Sequence, residues 1–444
     1  MKKLLLKNCN IVNEGNIIQK DILIKNERIE KIAAGISDEN AEVMDVDGKY
    51  VIPGIIDDQV HFRDPGLTHK ANIYSESKAA VAGGVTSFME MPNTIPNAIT
   101  KELLEDKYQK AASVSQANFS FYMGTSNSNS DEAVSIDPEK VCGIKIFMGG
   151  STGNMLVDNS RALEKVFSEA PSIVAIHSEN DPMIKERSEQ FKQKYGEDLP
   201  FSVHADIRNE KVCYSNTKNA VELAKKHGTQ LHVLHLTTED ELEFFTNKIP
   251  LKDKKITGEI CVHHLYFDSN GYEELGSLIK CNPAIKAPHH KKALFEAMTD
   301  DRLDVIATDH APHTWQEKQN NYWKAPAGIP LVQHSLNVML GFYHNNMISL
   351  EKIVKKMCHA PAELFSVRDR GYIREGYFAD LAVIDSRRVW KVSKSNIMAK
   401  CGWSPFEGKH FKGSVVKTFV NGNLKYDEGK FISNEPGKRL LFDR

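Results

Sequence analysis

The sequence predicts an α/β fold: a (β/α)8 TIM-like barrel with a small discontinuous β-sandwich domain formed by both chain termini. Three observations predict it. Eight strand-like apolar runs alternate with amphipathic helical stretches through the middle of the chain. Both ends of the chain read instead as short strands separated by turns. Histidines and an aspartate recur at the ends of several middle strands, where a barrel gathers its functional groups.

The elements follow in order. Residues 1–52 form the N-terminal part of the small β domain: Leu4–Val12, a Glu14-Gly15-Asn16 turn, an alternating run Asp21–Ala33, then Val43–Asp47 and Tyr50–Ile52, with Pro53-Gly54 as punctuation. Residues 53–370 form the barrel. Its strands are expected at Ile55–His61, Thr86–Met91, Phe119–Gly124, Val141–Met148, Ser172–His177, Gln230–Leu236, Thr257–His263 and Val305–Asp309. Helical stretches such as Ile73–Ala82, Thr217–His227 and Lys291–Met298 lie between them. Residues 371–444 complete the small domain, with a strand at Ala379–Ile384 and a hairpin in which Val415–Val420 and Asn423–Tyr426 flank Asn421-Gly422.

Composition excludes several classes. Among 444 residues, 57 Lys and Arg balance 59 Asp and Glu, a net charge of -2, so no basic surface points to nucleic acid. With 41% hydrophobic and 26% charged residues the chain is an ordinary globular mixture. The 7 cysteines are dispersed and never spaced C-x-x-C, which argues against a disulfide framework or a cysteine-type zinc site. No apolar run approaches the ~18 residues of a membrane span. Leu4-Leu5-Leu6 after two lysines stops at Lys7, too short for a signal sequence. The expected setting is cytoplasmic, with reduced thiols.

The 17 histidines carry the functional signal. Expected strand ends hold His61 with Arg63, Asn93, Lys145, His177, His235, His263-His264, and Asp309 with His310 and His313. Converging histidines and an aspartate form a nitrogen and oxygen ligand set suited to zinc. His263 and His264 read as core residues or residues behind the ligands. His232, three positions before His235, falls on the other face of its strand.

The motifs themselves resemble a family. Pro53-Gly54-Ile55-Ile56-Asp57 followed by His61-Phe62-Arg63-Asp64-Pro65-Gly66 is similar to the opening motif of dihydroorotases in the amidohydrolase superfamily. Met91-Pro92-Asn93-Thr94, His263-His264-Leu265, Asn282-Pro283-Ala284 and Thr308-Asp309-His310-Ala311-Pro312-His313 follow in that family's order. Ser404-Pro405-Phe406-Glu407-Gly408 and Val420-Asn421-Gly422 complete it.

The resemblance implies site roles. His61 would bind the more buried metal, His177 and His235 the second, and Asp309 would bind the first metal and shuttle a proton. Lys145 would be carboxylated by CO2, because an ammonium has no lone pair to offer. The stretch after it, Gly149-Gly150-Ser151-Thr152-Gly153, has no carboxylate to replace it. The cofactor implied is zinc, one or two ions per chain. One position departs from the family: Gln59 stands where a metal-binding histidine is expected, and an amide oxygen is at best a weak ligand.

The reaction implied is reversible cyclisation of N-carbamoyl-L-aspartate to L-dihydroorotate in pyrimidine biosynthesis. Metal would lower the pKa of water from 15.7 to about 7 and supply hydroxide, and Asp309 would move the proton. Arg63, with Asn93 and His313, would grip the substrate carboxylate. Asn282 would read the ring amides, and Thr152 would reach the substrate from a loop. The partner implied is this small anion, with no nucleic acid and no membrane, and a homodimer. Two other readings stand beside it: another cyclic-amide hydrolase such as a hydantoinase or allantoinase, and a non-catalytic homologue that Gln59 would explain.

Overall fold

The computed structural model describes residues 2–149 and 155–444. Its barrel strands are Ile55–Val60, Val85–Glu90, Asn118–Phe121 continuing past Tyr122 into Met123–Gly124, Ile144–Met148, Val174–Ser178, Leu231–Val233, Ile256–Cys261 and Val305–Ala307. Each pairs in parallel with the next. Every residue of these strands except Ile256 is buried. A parallel barrel requires this, since helices cover its outer face and the strands' own side chains fill its inside, and it explains why the strands read as continuous apolar runs.

Polar groups close the ring. The Thr308 N–H and hydroxyl both donate to the Asp57 carboxylate, at 3.2 and 2.6 Å. The His61 N–H donates to the His310 carbonyl at 2.7 Å, and Val60 and His310 form a parallel bridge. The first and last strands are thereby pinned together at the end that carries His61 and Asp309.

The return helices are cut by their own caps. Asn72 and Ser75 form a reciprocal capping box at the start of Ile73–Ala82. In Glu210–His227 the Asn209 side chain accepts from the Val212 N–H, and Gly228 ends the helix at φ 72°. Between them Cys213, Thr217, Ala220, Val221 and Ala224 recur at helical spacing and form its buried face.

Three strands end two or more residues earlier than their sequence pattern suggests, each for a local reason. The sixth stops at Val233 and the eighth at Ala307, because His235 (φ 40°) and Asp309 (φ 47°) turn into the left-handed region and leave the ladder. The seventh stops at Cys261, and His263 and His264 enter a short helix, Val262–Tyr266.

Both chain ends meet in one nine-stranded sheet. Its central seam joins Tyr50–Pro53 antiparallel to Leu381–Lys391, with Ile52 opposite Ala382 and Val51 opposite Val383. Lys3–Asn13 and Asn16–Lys25 continue it on one side, His410–Val420 and Asn423–Asp427 on the other. The last hairpin turns at Asn421 (φ 50°) and Gly422 (φ 72°), the pair of positive angles a two-residue turn demands. A side chain at 422 would also meet the Asn26 carbonyl at 2.2 Å. Among the described residues no helix is long and apolar enough to cross a membrane.

A buried polar knot ties this sheet to the barrel. Asp380 accepts from Arg370, from the Asn118 side chain at 3.1 Å and from the Asn421 N–H at 2.7 Å, while Asn421 donates to Asn118 at 2.8 Å. Arg370 and Asp380 are both buried. Asp380→Ala would strand the guanidinium. It should lower the unfolding free energy by about 3–5 kcal/mol, read by urea denaturation, and an unchanged midpoint would contradict this assignment.

Candidate active site

The described residues singled out from the sequence converge. Gln59, His61, Arg63, Asn93, Lys145, His177, His235, Asn282, Asp309 and His313 all line one cavity of about 270 Å³ at the carboxyl ends of the barrel strands. Phe147 and the Pro326-Ala327-Gly328 backbone complete its wall. Thr152 lies outside the described residues.

At one side stand His61, Asp309 and Gln59. His61 Nδ1 lies 2.7 Å from the Asn93 side-chain oxygen, so its proton sits there. Its Nε2 lone pair then faces Asp309 Oδ1 at 3.0 Å. Burial pushes the His61 pKa down; burial also opposes ionisation of Asp309, but the surrounding imidazoles outweigh it and keep this carboxyl below the usual range. An imidazole lone pair facing a carboxylate is an arrangement that a cation relieves. Gln59 presents its amide N–H to the same Asp309 oxygen at 3.2 Å.

Across the cavity, His177 Nδ1 and His235 Nε2 are 3.0 Å apart. His177 uses its other nitrogen on Glu179 at 2.9 Å, which orients the ring and leaves the Nδ1 lone pair free. Burial raises the Glu179 carboxyl, but Arg208 and His177 outweigh it and hold the group at about 2. Burial, then His177 and Lys145, push the His235 pKa well down. Two imidazole nitrogens bound about 2.0–2.1 Å from one tetrahedral zinc would stand slightly farther apart than this, so the pair fits a shared metal.

Lys145 sits on the fourth strand, with its ammonium 4.6 Å from the centre of the Phe147 ring. Burial brings its pKa down to about 7, against the pull of Asp309 and Glu259. The free amine needed to react with CO2 is therefore well populated near neutrality.

The third cluster is made of donors. His313 Nδ1 accepts from Lys70 at 3.1 Å, and Lys70 is paired with Glu317 at 2.8 Å. The His313 proton is thus on Nε2, which faces the Ala327 carbonyl at 3.0 Å. Arg63 Nη2 stands 3.1 Å from that same Nε2, while Arg63 Nε donates to the Pro312 carbonyl at 3.1 Å. Arg63 Nη2 and His313 Nε2 thus meet, and among the described residues no carboxylate pairs with Arg63. Arg63 is held at φ 66°. Asn282 adds a buried side-chain oxygen without a partner.

Several contributing residues escaped sequence reasoning. Lys70 and Glu317 act through His313, and Arg208 acts through Glu179. Their partners lie on other elements, so no local pattern marks them. Glu179 alone carried a signal, two residues beyond His177 on the same strand side. His232 is turned into the barrel, against Thr257 at 2.8 Å and Asp58 at 3.2 Å, away from the mouth.

The fold and this cavity define a barrel hydrolase with a nitrogen and oxygen ligand set at its mouth. The amidohydrolase family model matches residues 50–425, and the chain belongs to that family. The dihydroorotase of Methanosphaera stadtmanae is 31% identical over 440 residues, covering 96% of each chain. That of Halobacterium salinarum is 30% identical, covering 97% of this chain and 98% of its own. Among solved structures, the L-hydantoinase (dihydropyrimidinase) of Arthrobacter aurescens superposes with a TM-score of 0.94 at 27% identity, over 99% of this chain and 100% of that one. The dihydropyrimidinase of Brevibacillus agri, at 23% identity and a TM-score of 0.90 over the whole of both chains, shares the fold.

Gly328 shapes the donor cluster. At φ 144°, a Cβ there would lie 2.4 Å from the Ala311 carbonyl and 2.9 Å from the His313 ring. Gly328→Ala should cost about 1–3 kcal/mol and displace His313. Thermal unfolding and the His313 imidazole resonances would report both effects, and a variant unchanged in the two would refute this role for Gly328.

Proposed function

We propose that this chain is a dihydroorotase: it interconverts N-carbamoyl-L-aspartate and L-dihydroorotate, with loss of water on ring closure. One observation carries the reading. Arg63 Nη2 and His313 Nε2 stand 3.1 Å apart on the cavity wall, with no described carboxylate on Arg63. A ring bearing a carboxylate uses both, whereas an uncharged hydantoin or dihydropyrimidine leaves a buried guanidinium unmet. The naming of relatives 30–31% identical over nearly the whole chain as dihydroorotases supports it.

The residues also fit zinc. His177 Nδ1, His235 Nε2 and a carbamate on Lys145 would hold it, with Asp309 and His61 on the opposite side. The lysine amine attacks CO2, forming an N–C bond and releasing one proton, and so turns a cation into an oxygen donor. Bound there, the metal supplies a Lewis acid for the ring carbonyl and acidity for a water.

The rest falls to the chain's own groups. Arg63 and His313 hold the substrate carboxylate. Asn282 accepts a ring N–H at its buried oxygen. Asn93, its oxygen taken by His61, keeps its amide hydrogens for the substrate. Asp309, ionised and held by Gln59, takes the proton of the attacking water and returns it to the leaving ring nitrogen. In ring closure the same carboxylate takes the proton from the carbamoyl nitrogen. Gln59 acts here as a clamp on Asp309, which answers the missing histidine without requiring loss of activity.

The test compares two substrates. Zinc-loaded protein should hydrolyse dihydroorotate, lose that activity to a chelator, and regain it with zinc and bicarbonate. Arg63→Ala should lower kcat/KM for dihydroorotate at least ~30-fold and leave dihydrouracil almost unaffected. Equal losses on both rings, or a wild-type preference for the uncharged one, would favour a hydantoinase-like enzyme instead.

A further inference from the structure

Beside the catalytic cavity lies a second ligand cluster that the mechanism does not use. Thr257, Glu259 and Cys261 alternate along the seventh barrel strand and share one face. The short helix that follows carries His263 and His264. Cys261 Sγ and one ring nitrogen from each of the two histidines lie within 4.8 Å of one another. All three residues are buried, at 0%, 1% and 4% exposure.

The histidines are short of partners. Neither His263 nitrogen has a hydrogen bond of full geometry among the described residues, although the Thr308 backbone acts on the ring, and His264 Nδ1 has none. His264 Nε2 faces the Pro283 carbonyl at 3.3 Å, so its proton is there and Nδ1 offers a lone pair. Burying imidazole nitrogens that lack a good partner costs free energy. Both rings are held neutral by burial, the state a metal requires. The Cys261 thiol donates to Glu259 Oε1 at 3.3 Å, burial and Asp58 hold the Glu259 carboxyl well above the usual carboxylate range, and Asp309 acts on both Cys261 and His263. One thiol and two neutral imidazoles gathered in a buried pocket are the donor set of a thiophilic divalent cation.

We propose that Cys261, His263 and His264 form a separate binding site for a zinc-class cation, distinct from the His177 and His235 pair. On binding, the thiol proton leaves to solvent and the sulfur electron pair goes to the metal. The site leaves Gln59 outside its ligand set, although Gln59 Oε1 is 4.0 Å from the sulfur. It does not depend on the substrate assignment above.

Cobalt reads this site directly. Metal-free, reduced protein titrated with Co2+ in bicarbonate should develop a near-ultraviolet thiolate-to-cobalt band. Cys261→Ser should lose that band and one equivalent of cobalt, and keep the cobalt held by His177 and His235. Cys281→Ser removes the other nearby sulfur, 3.8 Å from His264 Nε2, and should keep the band. A wild-type protein without the band, or a band that survives Cys261→Ser, overturns the proposal. Should Cys261→Ser not fold, X-ray absorption of the zinc-loaded wild type decides. Sulfur scattering at about 2.3 Å supports the site, and its absence overturns it. Turnover of dihydroorotate is measured separately, so failure of one reading leaves the other standing.

Discussion

The mouth of this barrel depends on the first strand meeting the eighth. Asp57 accepts two hydrogen bonds from Thr308, and the His61 N–H reaches the His310 carbonyl. Those three bonds bring His61 within 3.0 Å of Asp309, although the two are far apart in sequence. Arg63 and His313 lie just beyond the same seam and meet for the same reason. Without closure His61 would not meet Asp309, nor Arg63 His313.

The backbone bends where these groups act. Arg63, His235 and Asp309 all have positive φ, a conformation non-glycine residues rarely adopt. Each bend takes a side chain out of the ladder and turns it towards the cavity. The surrounding strands, buried on both faces, supply the packing that holds such bends in place. Precision at the mouth therefore rests on a rigid parallel sheet beneath it.

Much of this was legible in the sequence. Apolar runs located all eight strands, and the Asn421-Gly422 turn located the last hairpin. Motifs at strand ends identified the described cavity residues that now stand together, while Thr152 lies outside the described residues. What escaped was non-local. Glu179 and Lys70 matter through bonds to His177 and His313, and the Arg370, Asp380 and Asn118 knot joins three distant segments. Strand periodicity also overran the true ends at His235 and Asp309, since a left-handed residue looks the same as an extended one in sequence. Gln59 was visible as a departure, but its bond to Asp309 needed the fold.

The central claim is that one end of the cavity holds metal between His177 and His235 while the other grips a carboxylate. Anomalous scattering at the zinc edge, from crystals of zinc-loaded protein soaked with dihydroorotate, tests both ends at once. The account predicts a metal peak shared by His177 Nδ1 and His235 Nε2, added density on Lys145 Nζ, and the ligand carboxylate on Arg63 and His313. A ligand whose carboxylate lies elsewhere, or a cavity with no metal between those two imidazoles, would contradict it.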